Sequence, residues 1–205
     1  MSIDEVLEPG RTALIVWDMQ VGVAARAHDL PLLRETFDEL LDAARSNGVR
    51  VIWSRHVAPP IGHTAPAAIR SMMIQQAVQD PSELRLLYQA GTPETELLQG
   101  LVPLAGELVI EKSTISFFIG TPLELRLRAH GITTLVLTGV ATEAGIEFTA
   151  RHALALGLFV VVAEDAVGGF TAEAHKAALA RLRSAADILP SAAIIAAWSR
   201  SVAHG

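Results

Sequence analysis

Asp18 directly follows the apolar run TALIVW (residues 12–17), and Lys112 directly follows ELVIE (residues 107–111). A carboxylate at the end of such a run stands partly in dry surroundings, which raise its pKa and suit it to acid or base work near neutral pH. Taken alone, Asp18 reads equally as a turn cap or an acceptor for backbone N–H groups, and Lys112 as a solvated loop lysine. Together they say more, because opposite charges at neighbouring strand ends compensate each other's desolvation. A third feature is the turn at residues 139–145, Gly-Val-Ala-Thr-Glu-Ala-Gly. With Thr142 as N-cap, Gly145 falls in a first helical turn, where free N–H groups favour an anion or a developing oxyanion. Glycine there costs roughly 1 kcal/mol against alanine, so it signals a need for space or close helix–strand packing.

The elements that must position these groups are legible as alternation. Apolar runs at residues 12–17, 49–54, 107–110, 133–137 and 158–163, with a short sixth at 187–189, are apolar at successive positions, as strands covered on both faces are. Between them, residues 30–47, 121–130, 143–156 and 172–185 carry helical spacing. The pattern predicts a three-layer α/β/α sandwich, Rossmann-like, with a mainly parallel sheet of about six strands. Gly48, Gly131 and Gly157 stand where helices stop. Thr121-Pro122-Leu123-Glu124 predicts a helix start, with Thr121 as cap and Glu124 closing a capping box. Ligands in such sheets bind beyond the carboxyl ends of the strands, which brings Asp18, Lys112, His56 and the 139–145 turn to one edge.

The chain of 205 residues suits one domain, 1–205, with 51% hydrophobic and 19% charged residues excluding disorder. Residues 56–106 break the alternation and predict a structured insertion serving as lid, pocket wall or interface, with a helix-like piece at 67–78. A net charge of -6 without a basic run argues against nucleic acid or an anionic membrane as partner. No apolar stretch reaches spanning length and no signal core is present, so the cytoplasm is the default expectation. Zero cysteines exclude disulfides, thiolate metal sites and thiol catalysis.

Four stretches carry a family resemblance: ALIVWDMQ (13–20), VIEKSTISFFIGTPLELRLRAHGI (109–132), TLVLTGVATEAGIEFTARHALALG (134–157) and VVVAEDA (160–166). In this order they resemble the isochorismatase-like hydrolase superfamily, whose best-known branch is the cysteine hydrolases. That branch cleaves amide or related bonds with an Asp–Lys–Cys triad. The resemblance assigns the Asp to Asp18 and the Lys to Lys112, and puts the nucleophile position of T-G-V-A-T-x-x-C at Gly145. It further implies a cis peptide between Val140 and Ala141, with the N–H groups of Ala141 and Gly145 available to an oxyanion. Phe117 and Phe118 fall where the family often places an aromatic near substrate. Trp17, His56 and Glu143 are further pocket candidates, although Glu143 also reads as an exposed first-turn glutamate. Glu147 matches a common family residue with a helix-face hydrogen-bonding role.

Glycine in place of the thiol departs from the cysteine hydrolases. Isochorismatases also carry glycine there and hydrolyse a vinyl ether, but precede it with an aromatic–Ala–His run where this chain has Ala141-Thr142-Glu143. A third group of bacterial members keeps A/S-T-x-x-G, the pattern nearest this one. Metal-dependent nicotinamidase relatives use Asp-x-His; His56 and His63 lack that spacing, so neither metal nor cofactor is expected. The resemblance implies a homo-oligomer, dimer or tetramer. Two functions follow: hydrolysis of a small molecule by Asp-assisted attack of water, or an inactive member that binds a small molecule or an assembly partner. Vinyl ether hydrolysis is a further alternative.

Overall fold

The computed structural model describes residues 1–203. Six parallel strands form one sheet in the order β3-β2-β1-β4-β5-β6. They are β1 Thr12–Trp17, β2 Arg50–His56, β3 Leu108–Lys112, β4 Thr134–Val140, β5 Phe159–Gly168 and β6 Asp187–Leu189. The helices are α1 Ile3–Val6, α2 Val21–Ala24, α3 Leu30–Ser46, α4 Pro66–Gln76, α5 Leu123–Ala129, α6 Glu147–Ala155, α7 Ala172–Leu182 and α8 Ser191–Ala203. From β1 the chain adds β2 and β3 on one side, then returns to add β4, β5 and β6 on the other. The order therefore reverses between β1 and β4, which opens a crevice at their carboxyl ends.

Every residue of β1 and β4 is buried, as central strands covered on both faces require. Strand alternation divides β1 between two cores. Leu14 and Val16 pack with Phe37, Leu40 and Trp198 from α3 and α8. Ala13, Ile15 and Trp17 pack on the opposite side with Leu123, Ile146 and Leu182 from the α5, α6 and α7 layer. Each fully buried Leu or Ile contributes roughly 1.5–3 kcal/mol, so the two cores hold the strand ends firmly.

β1 and β6 coincide with their apolar runs, while β4 and β5 extend further. Thr138-Gly139-Val140 continues β4, and a register irregularity between Leu137 and Gly139 lets β5 run on to Gly168. Gly48, Gly131 and Gly157 adopt positive φ after α3, α5 and α6.

Two helix starts differ from expectation. α5 begins at Leu123, with Pro122 in the cap position; Glu124 pairs with Arg128 instead of closing a box. Thr121 still accepts from the Leu123 N–H, at 3.2 Å. The turn after β4 is a single π-type turn, Thr142–Ile146, broken at Ala144. The Thr142 hydroxyl bonds Nδ1 of His175 at 2.9 Å and caps nothing. Three helices had no counterpart in the sequence pattern. They are α1, closed by a Ser2–Glu5 capping box, the single turn α2, and α8, which buries Ile194, Ala197 and Trp198.

Candidate active site

Asp18 leaves β1 with φ 40°, a left-handed conformation uncommon for a residue with a side chain. That turn folds its carboxylate back into the protein, where it is 5% exposed. Its Oδ2 accepts from Lys112 Nζ at 2.7 Å, and its Oδ1 accepts from the Ser54 hydroxyl at 2.6 Å. The Asp18 N–H in turn donates to Ser54 Oγ at 3.0 Å. Ser54 lies within β2 and Lys112 ends β3, so three consecutive strand ends converge on one carboxylate. Burial pushes the Lys112 ammonium down from its ordinary pKa, while the charge and hydrogen bond of Asp18 push it back up. The ammonium also lies 4.2 Å from the centroid of the Trp17 ring, a cation–π contact in a desolvated setting.

Trp17 points into the α5–α6–α7 core, a consequence of its odd place in β1. Phe117 meets its indole edge-on at 5.6 Å. A Cβ placed on Gly145 would fall well inside van der Waals contact of indole atoms Cε2, Cζ2 and Nε1. Gly139, at φ 105°, sits against the Trp17 backbone in the same way. Both glycines thus admit Trp17, one its backbone and the other its ring. The peptide joining Val140 to Ala141 is cis.

Around the pair opens a cleft of about 200 Å³. Its lining includes Asp18, Lys112, Trp17, Val140, Ala141 and Gly145. The 56–106 segment supplies a wall: His56 and Tyr88 reach the cleft, with their rings edge-to-face at 5.1 Å. Burial first, and the neighbouring Lys112 charge second, lower the His56 pKa to about 4, so its imidazole is neutral at pH 7. Gln20 fixes this wall. Its amide donates to the carbonyls of His56 and Thr95 at 3.1 and 3.0 Å and accepts the His56 N–H at 2.5 Å. On the other side stand Arg26 and Phe170, with the guanidinium carbon 4.3 Å from the ring centroid.

Of the residues singled out from the sequence, Trp17, Asp18, His56, Lys112, Val140, Ala141 and Gly145 come together at the cleft. Phe117 and Phe118 do not. Both are buried, Phe117 against Trp17 and Phe118 against the His152 ring at 4.9 Å, because the loop after β3 turns them into the α6 side of the core. Glu143 is neither exposed nor part of the lining: its Oε1 accepts the Phe170 N–H at 2.8 Å, and its Oε2 is buried without a partner. Glu147 ties α6 to α7, accepting from Arg181 at 2.6 and 2.9 Å and from Arg151. Arg181, then Arg151, holds the Glu147 carboxyl below its ordinary pKa against the effect of burial.

Sequence reasoning missed Ser54, Gln20, Arg26, Tyr88 and Phe170. Ser54 carried a visible signal, a lone hydroxyl closing an apolar run; the others depend on loop paths that no local pattern encodes. Among the described residues, no group of three His, Asp or Glu side chains is arranged to hold a metal ion. No helix among them is long and apolar enough to cross a membrane.

Residues 12–193 match the isochorismatase domain model. Among curated proteins, the ureidoacrylate amidohydrolase RutB of Pantoea ananatis is 31% identical over 212 residues, covering 96% of this chain and 81% of that protein. The uncharacterized isochorismatase family protein YecD of Escherichia coli O157:H7 is 33% identical, covering 87% of this chain and 94% of that protein. Among solved structures, an isochorismatase family protein from Desulfovibrio vulgaris superposes with a TM-score of 0.76. It is 28% identical, with 90% of this chain and 96% of the other covered. A cysteine hydrolase from Pseudomonas syringae pv. phaseolicola reaches 0.82 over 95% of each chain at 23% identity, a likeness of fold.

Proposed function

Because the chain belongs to the isochorismatase family of hydrolases, we propose that it hydrolyses a small molecule at the Asp18–Lys112 pair by direct attack of water. The observation that carries this reading is the buried contact of 2.7 Å between Asp18 and Lys112 at the cleft, with Ser54 holding the second carboxylate oxygen. Such an arrangement holds a carboxylate oriented in surroundings where its charge counts for more than in water.

For an amide or ureido substrate, Asp18 takes a proton from water as its oxygen bonds to the carbonyl carbon. The N–H groups of Ala141 and Gly145 receive the resulting oxyanion, and the Lys112 ammonium, now facing a neutral Asp18, balances its charge. Collapse breaks the C–N bond, and Asp18 returns its proton to the leaving nitrogen. For a vinyl ether, Asp18 in its protonated form donates its proton to carbon, water adds to the resulting cation and returns a proton to Asp18, and the hemiketal collapses to a carbonyl and an alcohol. Amide-type chemistry is preferred here because the first of the curated relatives is a ureidoacrylate amidohydrolase.

We read Gly145 as standing at the family's nucleophile position, with the Trp17 indole across it. Water then reaches the substrate from the open side of the cleft and not from beneath Gly145.

The test is a panel of ureido acids, primary amides and vinyl ethers incubated with the unmodified protein and with Asp18→Asn. One class should turn over, and the variant should lose about 10²–10⁴ of that rate. Equal rates in the two proteins would sink the reading. The occlusion of Gly145 by Trp17 favours a second reading, an inactive ligand-binding member. Its mark would be measurable binding in this cleft with no turnover across the panel.

A further inference from the structure

The charges that line the cleft do not balance. Asp18 and Lys112 cancel one another at 2.7 Å, and both are 5% exposed. His56 contributes no charge at neutral pH. What remains is Arg26, which no carboxylate among the described residues pairs with, although the chain as a whole carries a net charge of -6. An unpaired guanidinium in an acidic protein makes the mouth of this cleft locally attractive to anions.

The guanidinium is also positioned. Arg26 lies over the Phe170 ring at 4.3 Å, and Phe170 is fixed by the bond of its N–H to Glu143 Oε1 at 2.8 Å. Glu143 comes from the same turn that supplies Ala141 and Gly145, so one segment sets both the reacting end and the platform for the cation. A guanidinium resting on an aromatic face keeps its N–H fork free in its own plane, where it matches a carboxylate with two parallel hydrogen bonds. The cleft is small, about 200 Å³ against the 300 Å³ or more of drug-sized pockets. A ligand spanning it meets Arg26 and the Asp18–Lys112 pair together.

We propose that Arg26 is a specificity-determining residue that binds a carboxylate on the ligand, so that the cleft takes small molecules with an acid at one end and the reacting bond at the other. The inference shares its cleft with the hydrolase reading, but it concerns binding and is tested by binding.

Titration calorimetry with two matched pairs, succinamate against succinamide and glutaramate against glutaramide, isolates the carboxylate from the amide. In the unmodified protein at least one acid should bind roughly tenfold or more tighter than its diamide. Arg26→Gln should erase that preference, Arg26→Lys should keep part of it, and added salt should weaken the acid alone. Equal affinity within each pair, a preference that survives Arg26→Gln, or no binding of any of the four compounds would overturn the proposal.

The outcomes separate from those of the hydrolase reading. Turnover that is lost in Asp18→Asn but indifferent to both Arg26 and the carboxylate removes the anchor and keeps the hydrolase. Acid binding that depends on Arg26, with no turnover of any panel member, keeps the anchor and removes the hydrolase.

Discussion

The indole of Trp17 occupies the space that a side chain on Gly145 would need. The two residues are consecutive in neither sequence nor strand, yet each dictates what the other can be.

This coupling makes Gly145→Cys uninformative by itself. The added side chain meets the ring, and overpacking of this kind costs about 1–3 kcal/mol. In a chain of this size the melting temperature should fall by roughly 2–4 °C for each kcal/mol. With Trp17→Ala the ring is gone, and a cysteine at 145 has room beside Lys112. The double variant should therefore be more stable than the summed single losses indicate, a positive coupling readable from urea titrations. Alkylation by iodoacetamide should be fast in the double variant and slow in Gly145→Cys alone. Additive losses would mean that the ring and the glycine are independent.

Removing one member of the Asp18–Lys112 pair should hurt more than removing both. Lys112→Met strands a buried carboxylate, and breaking such a pair costs about 3–5 kcal/mol. Combining it with Asp18→Asn removes the stranded charge, so the double variant should recover part of the loss in urea unfolding. A double variant as unstable as the sum of the singles would contradict the pairing.

His56 gives the stability a defined pH window. Its pKa falls from 6.5 in the unfolded chain to about 4 in the folded protein, so between those values the unfolded chain binds the extra proton. The contribution is present above pH 6.5 and is lost as the pH falls toward 4, amounting to at most about 3 kcal/mol at roughly 1.4 kcal/mol per pH unit. His56→Gln should flatten the stability curve over this range and leave its slope above pH 7 unchanged. An identical slope in both proteins between pH 4 and 6.5 would refute the assignment.

Ser54→Ala removes a hydroxyl that both donates to Asp18 Oδ1 and accepts the Asp18 N–H. The stranded buried groups should cost about 1–3 kcal/mol. On the hydrolase reading, kcat should fall with little change in KM, because the carboxylate loses its orientation while the rim of the cleft stays intact. Ser54→Thr, which keeps the hydroxyl, should restore much of both quantities.

The layers of this fold were legible because strands buried on both faces need unbroken apolar runs, which made β1 readable to the residue. Thr138-Gly139-Val140 escaped because a hydroxyl and a glycine interrupt the run, although the Thr138 hydroxyl is buried by donating to the Ala166 carbonyl at 2.6 Å. Asp18 and Lys112 were readable from position alone, since strand ends of a parallel sheet face one crevice. The side to which Trp17 points follows from its parity in β1, but its meeting with Gly145 depends on how the turn after β4 is kinked at Ala144. Arg26, Tyr88 and Phe170 reach the cleft along loop paths set by tertiary contacts, so the rim was illegible where the floor was plain.

Gln20 gives the wall of the cleft a common anchor. Its single buried amide holds the chain at both residue 56 and residue 95, so the stretch between them begins and ends on one side chain. Backbone bonds reinforce each end, from the Val57 N–H to the Lys112 carbonyl and from the Val21 N–H to the Glu96 carbonyl, both at 2.9 Å. A buried amide is costly to strip of its partners. The place of His56 beside the cleft therefore depends on a residue that does not itself line it.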